Sequence, residues 1–308
     1  VNLRDLKYAI AVAETRHFGK AAERCCVSQP TLSGQIKKLE DKLGVVIFER
    51  TRRWVELTPL GGEIIDLARK IVEQTDALTQ LATARQDPLS GPLRVGAIPT
   101  LSPYLIPPTL KPLKARCPQL QLVLYEEITD TLLQRLRNHQ IDIALIATPV
   151  DAPDLDAFPL FDEPFWLVHP RNHPLASKDE ISHKDLHQLD LLLLADGHCL
   201  AQQVMDVCGW EHRPQPQEMG DIQASSLETL LQLVRAGFGS TLVPALATLG
   251  PWMTDRSIIA RKLALPDAVR RISLAFRRSF PRRQALEVFA DIIQDNLSSA
   301  PIKKIGTR

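Results

Sequence analysis

Cys199 and Cys208 stand nine residues apart in the run Leu-Ala-Asp-Gly-His-Cys-Leu-Ala-Gln-Gln-Val-Met-Asp-Val-Cys. Residues 200–207 contain neither Gly nor Pro and are good or tolerable helix formers, so the pattern predicts a helix that begins at Cys199. Nine helical residues rise by roughly 13 Å and turn by roughly 900°, which sets the two sulfurs on opposite faces. A disulfide needs its Cα atoms within about 7 Å. The pair therefore either never bonds, or bonds only by destroying the helix between its members; the second option is a redox switch. A helix N-terminus carries free N–H groups and positive potential, which favours thiolate over thiol at Cys199, beside His198. A thiolate with a second thiol in reserve suits peroxide chemistry, sulfenic acid first and disulfide second. The other reading is that both cysteines are small buried hydrophobes.

The 308 residues are enough for two or three domains, and 44% hydrophobic with 24% charged residues is the balance of a globular chain. No apolar run approaches the ~18 residues of a membrane span, and the N-terminus lacks the apolar stretch of a signal peptide. A cytoplasmic location is expected. The five cysteines are odd in number and too sparse for a secreted disulfide framework. Neither a metal site nor a cofactor is expected. Charge is uneven: residues 1–60 hold 11 Lys/Arg and 7 Asp/Glu, or +4, which leaves −3 for the rest of a chain of net charge +1. A small basic domain before a larger acidic one suits a nucleic-acid reader joined to something else.

In the basic part, Leu3, Leu6, Ile10 and Ala13 fall at helical spacing, and Phe18, Ala21, Ala22 and Cys25 form a second short stripe. Ser28 is an N-cap for a third helix, with Pro30 in its first turn, Leu32, Ile36, Leu39 and Leu43 as its buried face, and Gly44 as its stop. This is a helix-turn-helix. Its outer face offers Ser28, Gln29, Pro30, Thr31, Ser33, Gln35 and Lys38, several of them donors and acceptors suited to base edges and phosphates, and Gly34 permits close approach to a duplex. Two β-like runs then flank Arg50, Arg52 and Arg53, which reads as a wing with a basic tip for phosphate or the minor groove. The alternative is a solvated charged hairpin beside a helix of a small bundle.

Thr58 and Pro59 start a longer helix. Leu60, Ile64, Leu67, Ile71, Leu78 and Leu81 follow a four-three spacing, with Gln74 in the remaining slot: a coiled-coil seam fit to pair two chains over a palindromic site. A Pro/Gly-rich linker at 87–92 leads into alternating β and α segments: strands at 93–98, 120–125 and 141–147, helices at 103–116 and 129–138. That order implies a parallel sheet with helices on both faces. Further strands are expected at 165–169, 191–194, 240–243 and 271–276, and helices from 199, at 227–236 and at 284–297. Thr100 and Thr129 fall at the carboxyl ends of parallel strands, where such folds bind ligands, although each also suits an N-cap or turn. Ser225-Ser-Leu-Glu is read as a capping box.

The string Phe18-Gly-Lys-Ala-Ala-Glu-Arg, then Val27-Ser-Gln-Pro-Thr-Leu-Ser-Gly-Gln-Ile, Leu39-Glu, Leu43-Gly, Phe48-Glu-Arg and Leu57-Thr-Pro resembles the winged helix-turn-helix of LysR-type transcriptional regulators. The resemblance implies an α/β chain in three parts: a winged helix-turn-helix at 1–58, a dimerising linker helix at 59–87, and a regulatory domain at 88–308. The last would comprise two Rossmann-like subdomains, like a periplasmic binding protein: lobe I about 91–161 plus 268–308, lobe II about 162–267, with a hinge near 159–164. Asp196-Gly-His-Cys-Leu with Cys208, Ser226-Leu-Glu-Thr-Leu and Leu242-Val-Pro-Ala-Leu is similar to the OxyR-type peroxide sensors within that family. That likeness implies Cys199 as the peroxidatic and Cys208 as the resolving cysteine. It also implies a peroxide pocket of Thr100, Thr129 and His198, supported by Arg271.

The function so implied is an activator of peroxide-defence genes and not an enzyme. Its partners would be promoter DNA, its own copies as a dimer of dimers, RNA polymerase, hydrogen peroxide as signal, and glutathione or glutaredoxin as reductant. The alternative is a LysR-type regulator that answers to a small organic effector between the lobes. Two departures stand beside the switch: Ala201-Gln202 replaces the usual Arg-Asp, and the stretch 209–220 is longer and rich in Pro and Gln.

Overall fold

The computed structural model describes residues 1–50, 55–84, 87–178, 180–211, 224–254, 256–297 and 300–305. Two compact units divide the chain, 1–85 and 86–308.

The first unit opens with α1 (Leu3–Thr15), α2 (Phe18–Arg24) and α3 (Gln29–Leu43). Each start is capped by a side chain: Asn2 accepts from the Asp5 amide, the His17 ring from Gly19 and Lys20, and Ser28 from Thr31. Such caps satisfy amides that the helix itself leaves open, at about 1 kcal/mol each. Gly44 ends α3 in the left-handed conformation, φ 70°. Leu32, Ile36 and Leu39 of α3 are wholly buried against Leu6, Ala9 and Val12 of α1 and Ala21 of α2. β1 (Phe48–Arg50) and β2 (Val55–Leu57) pair antiparallel, Phe48 opposite Leu57, as the wing. α4 (Pro59–Ala84) follows. It lies so close to the preceding segment that a Cβ at Gly61 would meet the Ile47 carbonyl at 2.2 Å. Ile65 and Ala68 of α4 are buried in this unit's core, whereas Leu60, Leu67, Ile71, Gln74 and Leu78 are exposed.

The second unit has two lobes. In lobe I, β3 (Gly91–Ala97), β4 (Leu120–Glu126) and β5 (Ile143–Ile146) are parallel, with β3 in the middle. α5 (Ser102–Arg116) and α6 (Thr129–Arg137) are the crossovers. β6 (Leu155–Pro170) then runs 16 residues through both lobes. In lobe II come α7 (His183–Leu186), α8 (Cys199–Cys208), α9 (Leu227–Arg235), β7 (Thr241–Pro244) and β8 (Ile258–Lys262). β9 (Val269–Arg277) leads back, and α10 (Arg283–Asn296) and β10 (Lys303–Lys304) complete lobe I.

The lobe I sheet has the order β10-β6-β9-β5-β3-β4. β9 is antiparallel to both β5 and β6, so the sheet is mixed rather than wholly parallel. The alternation of strands and helices fixes direction only as far as β5; the returning strand enters from the opposite end. The outer half of β6 lies between β7 and β8. The chain therefore passes between lobes on two adjacent antiparallel strands, with a register shift between Pro159 and Phe161. Among the described residues the run 191–194 forms no strand: it is buried, and bridges join Leu191 to Ser240 and Leu194 to Ala224. Separate cores fill the lobes, one around Phe161, Phe276 and Phe289, the other around Phe165, Leu167 and Leu242.

Candidate functional site

α8 starts at Cys199 and ends at Cys208, where Gly209 stops it with φ 66°. Leu200, Ala201, Val204 and Cys208 bury one face in the lobe II core. Cys199, half-buried, packs instead against the core of lobe I. Both thiols are free, and nine residues of helix hold them roughly 13 Å apart along the axis. Cys208 is wholly buried, and burial pushes its thiol up to about 12. In this form it is a protonated core side chain.

Three observations place α8 across the carboxyl ends of the parallel strands. A Cβ on Gly197 would lie 3.5 Å from Ile128, just past β4. The Gln203 Nε2 donates to the carbonyl of Ala147, just past β5, at 2.7 Å. Cys199 itself leans on lobe I. The strand between these two is β3, and Thr100 follows it. Thr129 is the first residue of α6; it is 8% exposed, and its Oγ1 is buried without a hydrogen-bond partner. A buried hydroxyl left open in this way stands ready for a polar ligand. His198 is the residue before α8 and is half-buried; burial holds its ring below the usual histidine range. It is a neutral ring near pH 7 and adds no positive charge beside the sulfur.

The structure brings Arg270, and not the expected Arg271, to Thr100. Arg271 points outward, with its side chain 62% exposed, and forks onto Asp162 at 2.8 and 3.0 Å. Arg270 points inward. Its Nη1 donates to Thr100 Oγ1 at 2.9 Å, its Nη2 to the Thr100 carbonyl at 3.2 Å, and its Nε to Glu163 Oε2 at 2.8 Å. The Arg270–Glu163 pair is fully buried, and Glu163 Oε1 accepts from the Leu246 amide at 2.7 Å. Strand alternation decides the matter: Ile272 and Leu274 on β9 are buried, so Arg270 shares their face and Arg271 does not. Glu163 and Gln203 also went unnoticed in the sequence. Glu163 shares parity with the buried Phe161, Phe165 and Leu167, a signal that was there to be read; the reach of Gln203 to lobe I was not.

Of the two departures, Ala201 is buried in the lobe II core and Gln202 is exposed, bonded to Asp206 at 2.8 Å. Trp210 donates to His187 at 3.2 Å; residues 212–223 fall outside the described ones. The cap Ser28 and, on α3, Gln29, Pro30, Thr31 and Lys38 are exposed, and Ser33 and Gln35 are half-buried. Beside Gly34 there is open space. Arg52, Arg53 and the side chain of Arg50 lie outside the described residues.

A capped helix-turn-helix with a wing, a long helix, and a two-lobed α/β unit with a thiol at the head of a helix define a DNA-binding regulator with its own sensing unit. Residues 3–62 match the model of bacterial regulatory helix-turn-helix proteins of the lysR family, and residues 86–298 match the LysR substrate binding domain. The chain belongs to the LysR family of transcriptional regulators. It is 40% identical to a hydrogen peroxide-inducible genes activator of Pectobacterium carotovorum subsp. carotovorum over 298 residues, 96% of this chain and 97% of that one. Among solved structures, full-length OxyR C199D from Pseudomonas aeruginosa superposes with a TM-score of 0.75 at 40% identity, covering 96% of this chain and 95% of that one. A hydrogen-peroxide-bound mutant of Corynebacterium glutamicum OxyR gives 0.66 at 38% identity, covering 96% and 92%. Among the described residues, no helix is long and apolar enough to cross a membrane.

Proposed function

We propose that the chain is a peroxide-sensing transcriptional activator switched by a reversible Cys199–Cys208 disulfide. The observation that carries this is the division of one helix between two cores, with Cys199 against lobe I and Cys208 sealed in lobe II. The Cys199 thiolate attacks one oxygen of hydrogen peroxide. The S–O bond forms as the O–O bond breaks, and the leaving hydroxide is protonated to water. Sulfur is oxidised by two electrons to sulfenic acid. α8 then opens, and the Cys208 thiol, losing its proton, displaces water from the sulfenic sulfur. Thr100, Thr129 and His198 hold the peroxide, with Arg270 supporting them from behind Thr100. Two equivalents of glutathione, or a glutaredoxin, restore both thiols by exchange.

The refolded segment changes how regulatory domains meet and so how the recognition helices are spaced on promoter DNA and presented to RNA polymerase. The exposed Leu60, Leu67, Ile71 and Leu78 of α4 pair two chains, and two such pairs form the working tetramer. The test is one equivalent of peroxide on reduced protein, with peptide mapping and DNA footprinting before and after. A Cys199–Cys208 peptide with an altered footprint is expected. Absence of that peptide, or a footprint that answers to a small metabolite and ignores oxidation, overturns the proposal.

A further inference from the structure

We infer that Glu163 is a positioning residue for the peroxide reaction: from β6 it fixes the Arg270 guanidinium so that Thr100 keeps its hydroxyl hydrogen for the ligand. This rests on the peroxide reading above. The chain of bonds is closed at every step. Glu163 Oε1 is anchored by the Leu246 amide of lobe II at 2.7 Å. Oε2 holds Arg270 Nε at 2.8 Å, which sets the plane of the guanidinium. Nη2 is pinned on the Thr100 carbonyl and Nη1 donates to Thr100 Oγ1. An oxygen that accepts from an arginine still carries its own hydrogen, which it must point elsewhere. Thr100 stands at the end of the strand that α8 crosses, so the available direction is toward the peroxide oxygen that leaves as hydroxide and needs a donor. Charge develops on that oxygen only as the O–O bond breaks, and a donor fixed beforehand lowers that barrier.

Both partners of the ion pair are 0% exposed, and a buried ion pair can often be replaced by apolar side chains without loss of stability. A purely structural tie between β6 and β9 exists already in their backbone ladder, from Leu155–Arg277 to Pro164–Val269. Beyond that ladder the pair holds the Leu246 amide and the Thr100 carbonyl, and through these two anchors it keeps a guanidinium at one angle on the Thr100 hydroxyl.

Glu163→Gln tests this. The amide can accept from Leu246 but then turns N–H toward N–H at Arg270, which releases the guanidinium. The readout is a ratio: the rate of Cys199 oxidation by hydrogen peroxide against the rate of its alkylation by iodoacetamide, which needs no donor for a departing hydroxide. The expected result is a peroxide rate at least tenfold lower with alkylation within twofold of wild type. Thr100→Val should show the same split, and the double variant should be no slower than Thr100→Val alone. Glu163→Asp, which keeps the charge but cannot reach both partners, serves if the glutamine variant does not fold, and should show the same split at smaller size. Equal slowing of both reactions, an unchanged peroxide rate, or multiplicative losses in the double variant overturn the assignment. If wild type itself fails to react with peroxide at Cys199, it is the proposed function that falls.

Discussion

If the disulfide requires α8 to open, then side chains packed only by the intact helix stabilise the reduced form alone. Val204 is the sharpest probe, because it sits in mid-helix, 2% exposed, in the lobe II core and touches no part of the chemistry. Val204→Ala removes two buried carbons, at about 0.8 kcal/mol each. The cavity they leave raises the total to about 2 kcal/mol. For a two-electron couple about 1.4 kcal/mol corresponds to 30 mV, so the potential should move by about 40 mV. The sign follows from which form is weakened: with the reduced state destabilised, the potential becomes more negative, and the variant oxidises more readily and resets less readily. The assay equilibrates wild type and variant in graded glutathione redox buffers, quenches with acid, and counts Cys199–Cys208 linkages by mass spectrometry. Urea unfolding of the reduced proteins gives the stability loss independently. A reduced form that loses about 2 kcal/mol while the potential moves by under ~10 mV would show that Val204 stays packed in both forms and that the helix does not open.

Three other outcomes follow from the same geometry. Thr129→Val removes a buried hydroxyl that bonds nothing; stability in urea should hold or rise by up to about 1 kcal/mol, while peroxide oxidation of Cys199 slows roughly tenfold or more. Because burial raises the Cys208 thiol from 9.0 to about 12, the folded reduced state holds a proton that the unfolded chain releases. Stability from this source is full below pH 9 and drains as pH climbs toward 12, and Cys208→Ala should flatten that alkaline decline in urea midpoints. Leu67→Lys places a charge on the exposed stripe of α4, where Leu67 is 59% exposed. Sedimentation should show association weakened at least about tenfold, since each buried leucine contributes about 1.5–3 kcal/mol, with the helical circular dichroism signal unchanged.

Local signals carried most of the helices. Ser28 and Gly44 bracket α3, and the run after Cys199 without Gly or Pro marks α8, because caps and breakers act within a few residues. The geometric conflict between the two cysteines was visible for the same reason. Long-range relations were harder. Four consecutive leucines at 191–194 announce burial, but burial alone does not make a strand, and here they meet their neighbours through isolated bridges. The direction of β9 depends on where the chain comes back from, which no local pattern encodes. Arg270 against Arg271 is decidable from local pattern, since the parity of Ile272 and Leu274 puts the first inside. Gln203 reaches Ala147 across 56 positions, and only the folded chain reveals that.

The two-strand crossing has a mechanical corollary. Lobe II is an excursion whose departure on β6 and return on β9 are zipped side by side, antiparallel over most of β9. Under the proposed switch, the slack from an opened α8 would be confined between those fastened ends, so no tension would run out to the termini and lobe I would keep its register. The entropy gained by the loosened segment is that of a short closed loop rather than of a free tail, and it grows only slowly with the length released. A switch built this way would open one helix without loosening the sheet on which its neighbours depend.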